Sequence, residues 1–361
     1  ATLRTFGRQG ARPFYRGAIA RAIVAAVQAR GGLITMEDLA AYEVREREPL
    51  VAERFGHRWA TAPPPSAGGF TILHSLALME RWQPEGGWHD GAAFRHALTQ
   101  SWSGAFVDRA AYLGDPDHAE IPIERMLAEE RLEARAGLFD PMLMRTADGW
   151  EMPLEGEGET TPAAMPTGGG TSHLCVVDAE GNVASITTTI NLQFGSRVSA
   201  AGIVLNDEMD DFARELGEAN YFGLPGGAAN LPAGGRRPVS SMSPTIVLAG
   251  GDPVLCIGAS GGSRIITATE QVALFALVMS EPIAEAIARR RVHHQGRPGT
   301  TLYERGMDAT LRVGLWGRGH DLTEVSALAN VQAIRIVRAE DGTRSLEAGS
   351  DPRKDGEPRG R

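Results

Sequence analysis

A run of glycines that stops at a threonine is the feature that most constrains how this chain can fold. Residues 166–178 read PTGGGTSHLCVVD, so flexible residues give way at Thr171 to a stretch rich in strand formers. The turn AEGN separates this stretch from VASITTTINL, and together they predict a β-hairpin. By itself, this arrangement is typical of a threonine that begins a strand after a glycine loop.

Composition narrows the class of protein. The chain has 361 residues, 42% of them apolar, and a net charge of −9, which argues against a nucleic-acid binder. No apolar run reaches membrane-spanning length, and no signal peptide is recognisable. The two cysteines, Cys175 and Cys256, lie in apolar strand-like runs, so we expect buried thiols rather than a disulfide framework.

The order of elements predicts an α+β fold. Helical periodicity covers 16–32, 62–82 and 91–112, the last of which we expect to be amphipathic. Thr35 followed by Asp38 predicts a capped helix over 35–42. Strands and one helix follow Thr171, with no βαβ repeat. Residues 147–170 have the composition of a loose linker.

Several motifs resemble those of the gamma-glutamyltranspeptidase family. They are TSHLCVVDAEGNVASITTTIN, GIVLNDEMDDF, RRPVSSMSPTIV and GASGGSRIIT after the glycines, FYRGAIARAI, EREPL, PPPSAGG and YLGDPD before them, and GSDPRKDGEP near the end. The resemblance covers nearly the whole chain. It implies a four-layer αββα sandwich of the N-terminal-nucleophile hydrolase type. It also implies a precursor that cuts itself into a large subunit ending at residue 170 and a small subunit over 171–361. The two would form one composite domain, and the family implies a periplasmic or extracellular location.

The resemblance gives Thr171 the role of nucleophile. Cleavage of the Gly170–Thr171 bond would leave Thr171 with a free α-amine, whose ordinary pKa of about 8 suits it to accept the hydroxyl proton. Thr189 matches a second family threonine that hydrogen-bonds the nucleophile. Without the resemblance, both would be read as ordinary strand threonines.

Substrate-binding roles follow from the same resemblance. It places Glu208 and Asp211 on the α-ammonium of a glutamyl group and Asn191 near the substrate and a lid. Ser240 and Ser241 would hold its α-carboxylate. The acidic stretch NDEMDDF could also suggest a metal site, but no complementary histidine spacing accompanies it. A Ser-His-Asp hydrolase is a rival interpretation of the serines, although no G-x-S-x-G elbow is present.

The stretch IGASGGSR predicts a strand, two glycines and a helix start. The resemblance makes Gly261 and Gly262 an oxyanion hole. A phosphate loop is an alternative, but neither glycine-rich phosphate motif occurs here. The Gly/Pro-rich residues 212–235 are interpreted as a mobile lid, in which Phe222 aligns with a family tyrosine and Tyr221 could substitute for it.

The family's N-terminal segment carries an arginine that grips the substrate carboxylate, and no motif here replaces it. Arg236 and Arg237 are the first candidates for that pairing. The resemblance implies transfer of a gamma-glutamyl group from compounds such as glutathione to water, an amino acid or a peptide, with no cofactor or metal. Alternatives are a cephalosporin or glutaryl acylase, a poly-gamma-glutamate-cleaving enzyme, a non-catalytic remnant or, least favoured, a nucleotide-binding protein.

Overall fold

The computed structural model describes residues 1–154, 170–216, 218–339 and 341–360. The chain divides into two compact units, residues 1–48 with 189–208 and residues 49–188 with 209–361. This division does not follow the expected subunit boundary at residues 170 and 171, because the second unit takes elements from both sides of it. No helix of the described residues combines the length and apolar character needed to cross a membrane.

The first unit is mainly helical. Numbered in chain order, its elements are α1 (Thr2–Gln9), α2 (Arg12–Arg16), α3 (Ala18–Gln28), α4 (Met36–Ala41), β5 (Ser199–Ala200) and β6 (Ile203–Val204). Ile19 and Ile23 of α3 pack with Ala200 in its small core. The expected cap of α4 is confirmed: Asp38 N donates to Thr35 Oγ1 at 3.2 Å, and Thr35 N donates to Asp38 Oδ2 at 2.8 Å.

The second unit is built on a six-stranded antiparallel sheet with the order β1-β2-β7-β8-β12-β13. The unit also has a three-stranded sheet with the order β11-β10-β9 and a two-stranded sheet of β3 and β4. The strands are β1 (Leu50–Arg54), β2 (His57–Thr61), β3 (Thr171–Val177), β4 (Val183–Thr189), β7 (Thr245–Ala249), β8 (Asp252–Ser260), β9 (Val292–His293), β10 (Thr300–Glu304), β11 (Asp321–Val325), β12 (Asn330–Arg338) and β13 (Arg344–Ser350).

Helices cover one face of the large sheet, and the hairpin of β3 and β4 packs on the other. The helices are α5 (Gly68–Arg81), α6 (Ala92–Tyr112), α7 (Ile123–Met126), α8 (Glu129–Ala136), α9 (Arg264–Leu277), α10 (Ile283–Ala288) and α11 (Ala309–Trp316), and 3₁₀ turns occupy Ala147–Trp150, Glu208–Asp211 and Ala228–Asn230. Both faces of β8 are therefore covered, and its residues from Leu255 to Ser260 are buried. The hairpin's outer face is exposed at Leu174, Val176 and Ile186.

Two expectations about packing were wrong. Helix α6 is buried on nearly all sides rather than amphipathic, because its polar residues have partners inside the fold. Arg95 Nη1, for example, donates to Gln271 Oε1 at 2.7 Å. The expected linker is not loose at its start either, since Trp150 is fully buried and Leu154 N donates to the Tyr112 hydroxyl at 2.7 Å. The remainder of that linker, 155–169, lies outside the described residues.

Candidate active site

Thr171 is the first residue of β3, and its side chain is on the strand's inner face. Alternation along β3 buries Thr171 and His173 and turns Ser172 and Leu174 outward. Thr171 is 5% exposed, so the hydroxyl proposed to attack is shielded from bulk water. Its backbone carbonyl accepts a hydrogen bond from Lys354 Nζ at 3.1 Å. The start of β3 is therefore held by the segment that follows β13.

Buried ion pairs anchor the segment that carries Lys354. Arg291 Nη2 donates to Asp351 Oδ2 at 2.7 Å, and Arg353 Nη1 donates to Asp351 Oδ1 at 3.0 Å. Burial alone would raise the pKa of Asp351, but the charges of the two arginines and backbone donors outweigh it and lower that pKa. Lys354 thus follows a turn that these ion pairs anchor. Lys354 belongs to the motif GSDPRKDGEP, which resembles a family segment. The motif did not predict the contact between Lys354 and Thr171.

The inner face of β3 also carries a disulfide, which corrects the expectation of two buried thiols. Cys175 is bonded to Cys256 of β8, with their Cα atoms 5.9 Å apart. The two residues are 81 positions apart in sequence and meet only because the hairpin packs face to face on the large sheet. Burial lowers the pKa of the neighbouring His173 to about 4, so its imidazole is neutral at pH 7.

Asp211 is buried beside an arginine that the sequence analysis missed. Asp211 is 7% exposed and its backbone carbonyl accepts bonds from Asn220 Nδ2 at 3.1 Å and Asn230 Nδ2 at 3.0 Å. Burial lowers the pKa of Arg109 in α6 to about 10, and the charge of Asp211 opposes that shift. Nε and Nη2 of Arg109 have no hydrogen-bond partner among the described residues. No local sequence pattern indicated a functional role for Arg109, because it lies in a helix that is packed on nearly every side.

Ser240 and Ser241 lie in the segment that leads into β7. The Ser240 amide donates to the Pro65 carbonyl at 3.0 Å, and Ala67 N donates to the Ser240 carbonyl at 2.8 Å. Ser240 Oγ accepts from Met242 N at 3.1 Å, which fixes the hydroxyl while its own proton can be donated onward. The turn before α5 therefore positions the serine pair.

The neighbouring arginines have structural partners. Arg237 Nη1 donates to Asp117 Oδ2 at 3.3 Å, and its amide donates to Asp115 Oδ2 at 2.8 Å. Arg236 Nη1 donates to the Leu231 carbonyl at 3.2 Å. Through these contacts both arginine side chains anchor loops. Their pairing with the substrate carboxylate stays a prediction.

Gly261 and Gly262 connect β8 to α9 in conformations that favour glycine. Their φ angles are +140° and +63°. A Cβ at Gly262 would come within 2.8 Å of the Phe222 ring, so the backbone approaches that ring closely. Phe222 is buried, and Gln295 Nε2 donates to its carbonyl at 3.3 Å, while Tyr221 is 39% exposed. The lid role of these two residues stays a prediction.

The other predicted residues belong to the first unit. Thr189 Oγ1 accepts a hydrogen bond from Asn191 N at 2.8 Å, and Asn191 Nδ2 donates to the Asp207 carbonyl at 3.2 Å. Asn191 has a φ of +70°, a conformation that asparagine tolerates. Burial, with a smaller contribution from the charge of Asp207, raises the pKa of Glu208 to about 7. Glu208 Oε1 has no partner among the described residues.

Among the described residues, one cluster has side chains of the types that can bind a metal ion. His173, Cys175 and Cys256 have their ligand atoms within 4.8 Å of one another, and the disulfide occupies both sulfurs. The carboxylates of NDEMDDF do not form such a group among the described residues.

Curated relatives match almost all of this chain. The glutathione hydrolase proenzyme of Pseudomonas aeruginosa is 37% identical over 360 residues, covering 98% of this chain and 62% of its own length. The glutathione hydrolase proenzyme of Escherichia coli is 34% identical over 356 residues, covering 98% of this chain and 59% of its own length. The chain thus spans about three fifths of these relatives.

A solved structure shares the fold. The crystal structure of cephalosporin acylase from Bacillus halodurans superposes with a TM-score of 0.79 at 24% identity, over 99% of this chain and 61% of the acylase. This likeness confirms the expected α+β fold class. The family model described as gamma-glutamyltranspeptidase matches residues 1–360. With its motifs, its fold and its relatives in agreement, this chain belongs to the gamma-glutamyltranspeptidase family.

Proposed function

We propose that this chain carries the catalytic machinery of a gamma-glutamyl acyltransferase and hydrolase that cleaves gamma-glutamyl amides such as glutathione. One observation carries the proposal: the residue that the family motif makes the nucleophile, Thr171, is buried at the start of a strand that directly follows a run of glycines in the sequence. The family match over residues 1–360 supports the same activity.

Activation begins with cleavage between Gly170 and Thr171. Thr171 Oγ attacks the Gly170 carbonyl, the acyl group moves from nitrogen to oxygen, and water hydrolyses the resulting ester. The products are a large and a small subunit that remain associated, and Thr171 gains an α-amine that can act as its base. The donor Lys354 Nζ on the Thr171 carbonyl supports this assignment, since it fixes the backbone that carries the attacking hydroxyl.

Turnover repeats this chemistry on a gamma-glutamyl amide. Thr171 attacks the γ-carbonyl, whose developing oxyanion is held by the N–H groups at Gly261 and Gly262. The substrate ammonium pairs with Asp211, and its carboxylate takes hydrogen bonds from Ser240 and Ser241. Water, an amino acid or a peptide amine then takes the acyl group. The steps need only side chains, backbone N–H groups and water, so we propose no metal or cofactor.

Three alternatives use the same fold. A glutaryl or cephalosporin acylase would lack the ammonium that Asp211 is suited to bind, and a poly-gamma-glutamate-cleaving enzyme would prefer a polymer. A non-catalytic remnant would show no turnover at all. The buried carboxylate of Asp211 favours a glutamyl head group.

We also propose a periplasmic or extracellular location. The Cys175–Cys256 disulfide supports it, because such bonds persist in oxidising compartments. Fractionation of cells that produce the protein tests this location, and a signal confined to the cytosol would contradict it.

Intact mass and turnover of a gamma-glutamyl anilide together test the proposed function. The protein should separate into two species whose masses sum to the precursor plus one water. Thr171→Ala should stay uncut and inactive, whereas Thr171→Ser should keep a hydroxyl nucleophile and both activities. Cleavage at the same bond in the alanine variant would remove Thr171 from the role of nucleophile.

A further inference from the structure

We propose that Cys175, Cys256 and His173 form a second reactive site, a thiol–disulfide exchange centre that reacts with small thiols and controls the position of Thr171. The control of Thr171 rests on the proposed function, whereas the exchange chemistry does not. All three residues belong to the second unit.

The disulfide joins the two strands that carry the reacting groups. Cys175 and Thr171 share the inner face of β3, and Cys256 lies in the middle of β8, five residues before Gly261. The bond therefore ties the strand that starts with the nucleophile to the strand that leads to the oxyanion glycines. Opening it removes the covalent link between the hairpin and the large sheet.

The two cysteines differ in burial. Cys256 is fully buried, whereas Cys175, on the inner face of β3, is half-buried. The proposed attack of an incoming thiolate is therefore on the sulfur of Cys175, the less buried residue, and the sulfur of Cys256 leaves. Access of the thiolate to the attacked sulfur is one of the factors that set the rate of exchange.

His173 is fixed beside the sulfur of Cys175. Its Nε2 lies 3.4 Å from Cys175 Sγ, and its Nδ1 lies 2.8 Å from Thr187 Oγ1. The ring fills the space over Gly258, where a Cβ would come within 2.4 Å of it. When the Thr187 hydroxyl donates to Nδ1, the proton of the neutral ring is on Nε2 and faces Cys175. His173 can thus donate a hydrogen bond to a Cys175 thiolate.

The exchange balances with two equivalents of a small thiol. The first thiolate attacks Cys175 Sγ, the Cys175–Cys256 bond breaks, and Cys256 leaves as a thiolate. The second thiolate attacks the outer sulfur of the mixed disulfide, and Cys175 leaves as a thiolate that His173 stabilises. The products are one small-molecule disulfide and two protein thiols, which take up the two protons released by the attacking thiols. Under the proposed function, the substrate glutathione is itself such a thiol.

Labelling of the native protein tests the exchange without any enzymatic assay. The protein is incubated with N-acetylcysteine, quenched with acid, labelled with a maleimide and weighed. We expect two labels per native chain, and none for a Cys175→Ser/Cys256→Ser variant. Protein unfolded in urea and reduced is the reference for full labelling. A native protein that takes up no label under conditions that fully label the unfolded chain would overturn the proposal.

Variants of His173 separate its proposed role from a packing role. His173→Leu fills the space but offers no donor, so the mixed disulfide of Cys175 should accumulate as an adduct in the mass spectrum. His173→Gln keeps an amide donor and should restore its resolution. Equal adduct levels in wild-type, leucine and glutamine proteins would overturn the assignment of His173 to the second step.

Turnover of a gamma-glutamyl anilide by wild-type protein tests the control of Thr171. The fully reduced protein should have a kcat lower by about tenfold to a hundredfold with KM little changed, since a shift of about 1 Å in a reacting group can cost that much. Reoxidation should restore kcat. An unchanged kcat in labelled, fully reduced protein would overturn the control. If the oxidised protein shows no turnover, the proposed function fails while the labelling result still decides the exchange.

Discussion

Lys354 Nζ donates a hydrogen bond to the backbone carbonyl of Thr171 at 3.1 Å. The two residues are 183 positions apart, and the contact joins the segment after β13 to the first residue of β3. The bond is made to the backbone carbonyl, so the lysine holds the backbone from which the threonine hydroxyl projects. This relationship assigns to Lys354 the positioning of the proposed nucleophile and not its activation.

Replacing Lys354 with methionine should slow both cleavage at Gly170–Thr171 and turnover. The lost bond lies at a partly solvated site, so we expect a cost of about 0.5–1.5 kcal/mol, or roughly twofold to tenfold in each rate. Lys354→Arg keeps a cationic donor and serves as the control. The rates are measured by intact mass over time and by gamma-glutamyl anilide hydrolysis. Equal rates in the methionine variant and wild type would contradict the positioning role.

Asp211→Asn should raise KM for a gamma-glutamyl anilide by at least about tenfold, because a hydrogen bond to a charged group contributes roughly 1.5–3 kcal/mol. A glutaryl anilide has no ammonium and should be affected far less. Glu215→Gln removes an exposed carboxylate from the same loop and is the matched control. The measurement is steady-state kinetics on both substrates. An equal rise in KM for the two substrates would show that Asp211 does not bind the ammonium. Its charge would then serve only to balance that of Arg109.

Glu270 should make the protein less stable as pH rises from about 4.5 to 8. Burial raises the pKa of this carboxyl to about 8. The folded state therefore keeps a proton that the unfolded chain loses above its ordinary pKa of 4.5, and stability falls by up to about 1.4 kcal/mol per pH unit across that window.

The variant Glu270→Gln isolates this effect. The amide has no proton to lose, and it can still accept from Ser75 Oγ or Trp102 Nε1, which contact Glu270 at 2.5 and 2.8 Å. Urea unfolding between pH 5 and 8 should show a shallower decline for Glu270→Gln than for wild type. Glu285→Gln, at an exposed position of α10, should leave the wild-type slope unchanged. Parallel slopes for all three proteins would refute the prediction.

His320 should destabilise the protein in acid. Burial lowers its pKa to about 3, with a smaller contribution from the neighbouring His96. The unfolded chain binds a proton below its ordinary pKa of 6.5, whereas the folded ring stays neutral. This contribution to stability is therefore full above pH 6.5 and is lost as pH falls towards 3, by up to about 1.4 kcal/mol per pH unit.

A variant that lacks the His320 imidazole should lose this dependence of stability on pH. His320→Gln should reduce the proton uptake on unfolding between pH 6 and 4 by nearly one proton, as measured from urea unfolding at each pH. Gln can still pair with Thr301 Oγ1, which lies 2.9 Å from His320 Nδ1. His89→Gln, at an exposed position, is the control. An uptake that matches wild type in His320→Gln would assign the acid sensitivity to other groups.

Local patterns predicted the elements that depend on neighbouring residues. The hairpin around AEGN, the capped helix α4 and the helices α5 and α9 follow from turn chemistry, capping and periodicity. The roles of Thr171 and the glycine pair came from motif resemblance, since a threonine and two glycines are common in any fold.

Contacts between distant segments could not be predicted in the same way. The Cys175–Cys256 bond depends on two sheets packing face to face, and neither cysteine's neighbours in sequence indicate the other. Arg109 lies in a helix that reads as amphipathic, and its burial follows only from the elements packed around α6. The burial of Trp150 likewise depends on neighbouring helices and not on the Gly/Pro-rich composition around it.

The distance along the chain between Thr171 and Lys354 has a consequence for the order of events during synthesis. A ribosome that adds about 5–20 residues per second needs on the order of ten to forty seconds to translate the 183 residues that separate them. The hairpin can fold in that interval, but the carbonyl of Thr171 lacks its lysine donor until residue 354 has emerged. Any maturation step that uses this hydrogen bond is thereby restricted to chains translated past residue 354, so nascent and prematurely terminated chains are not matured by that route.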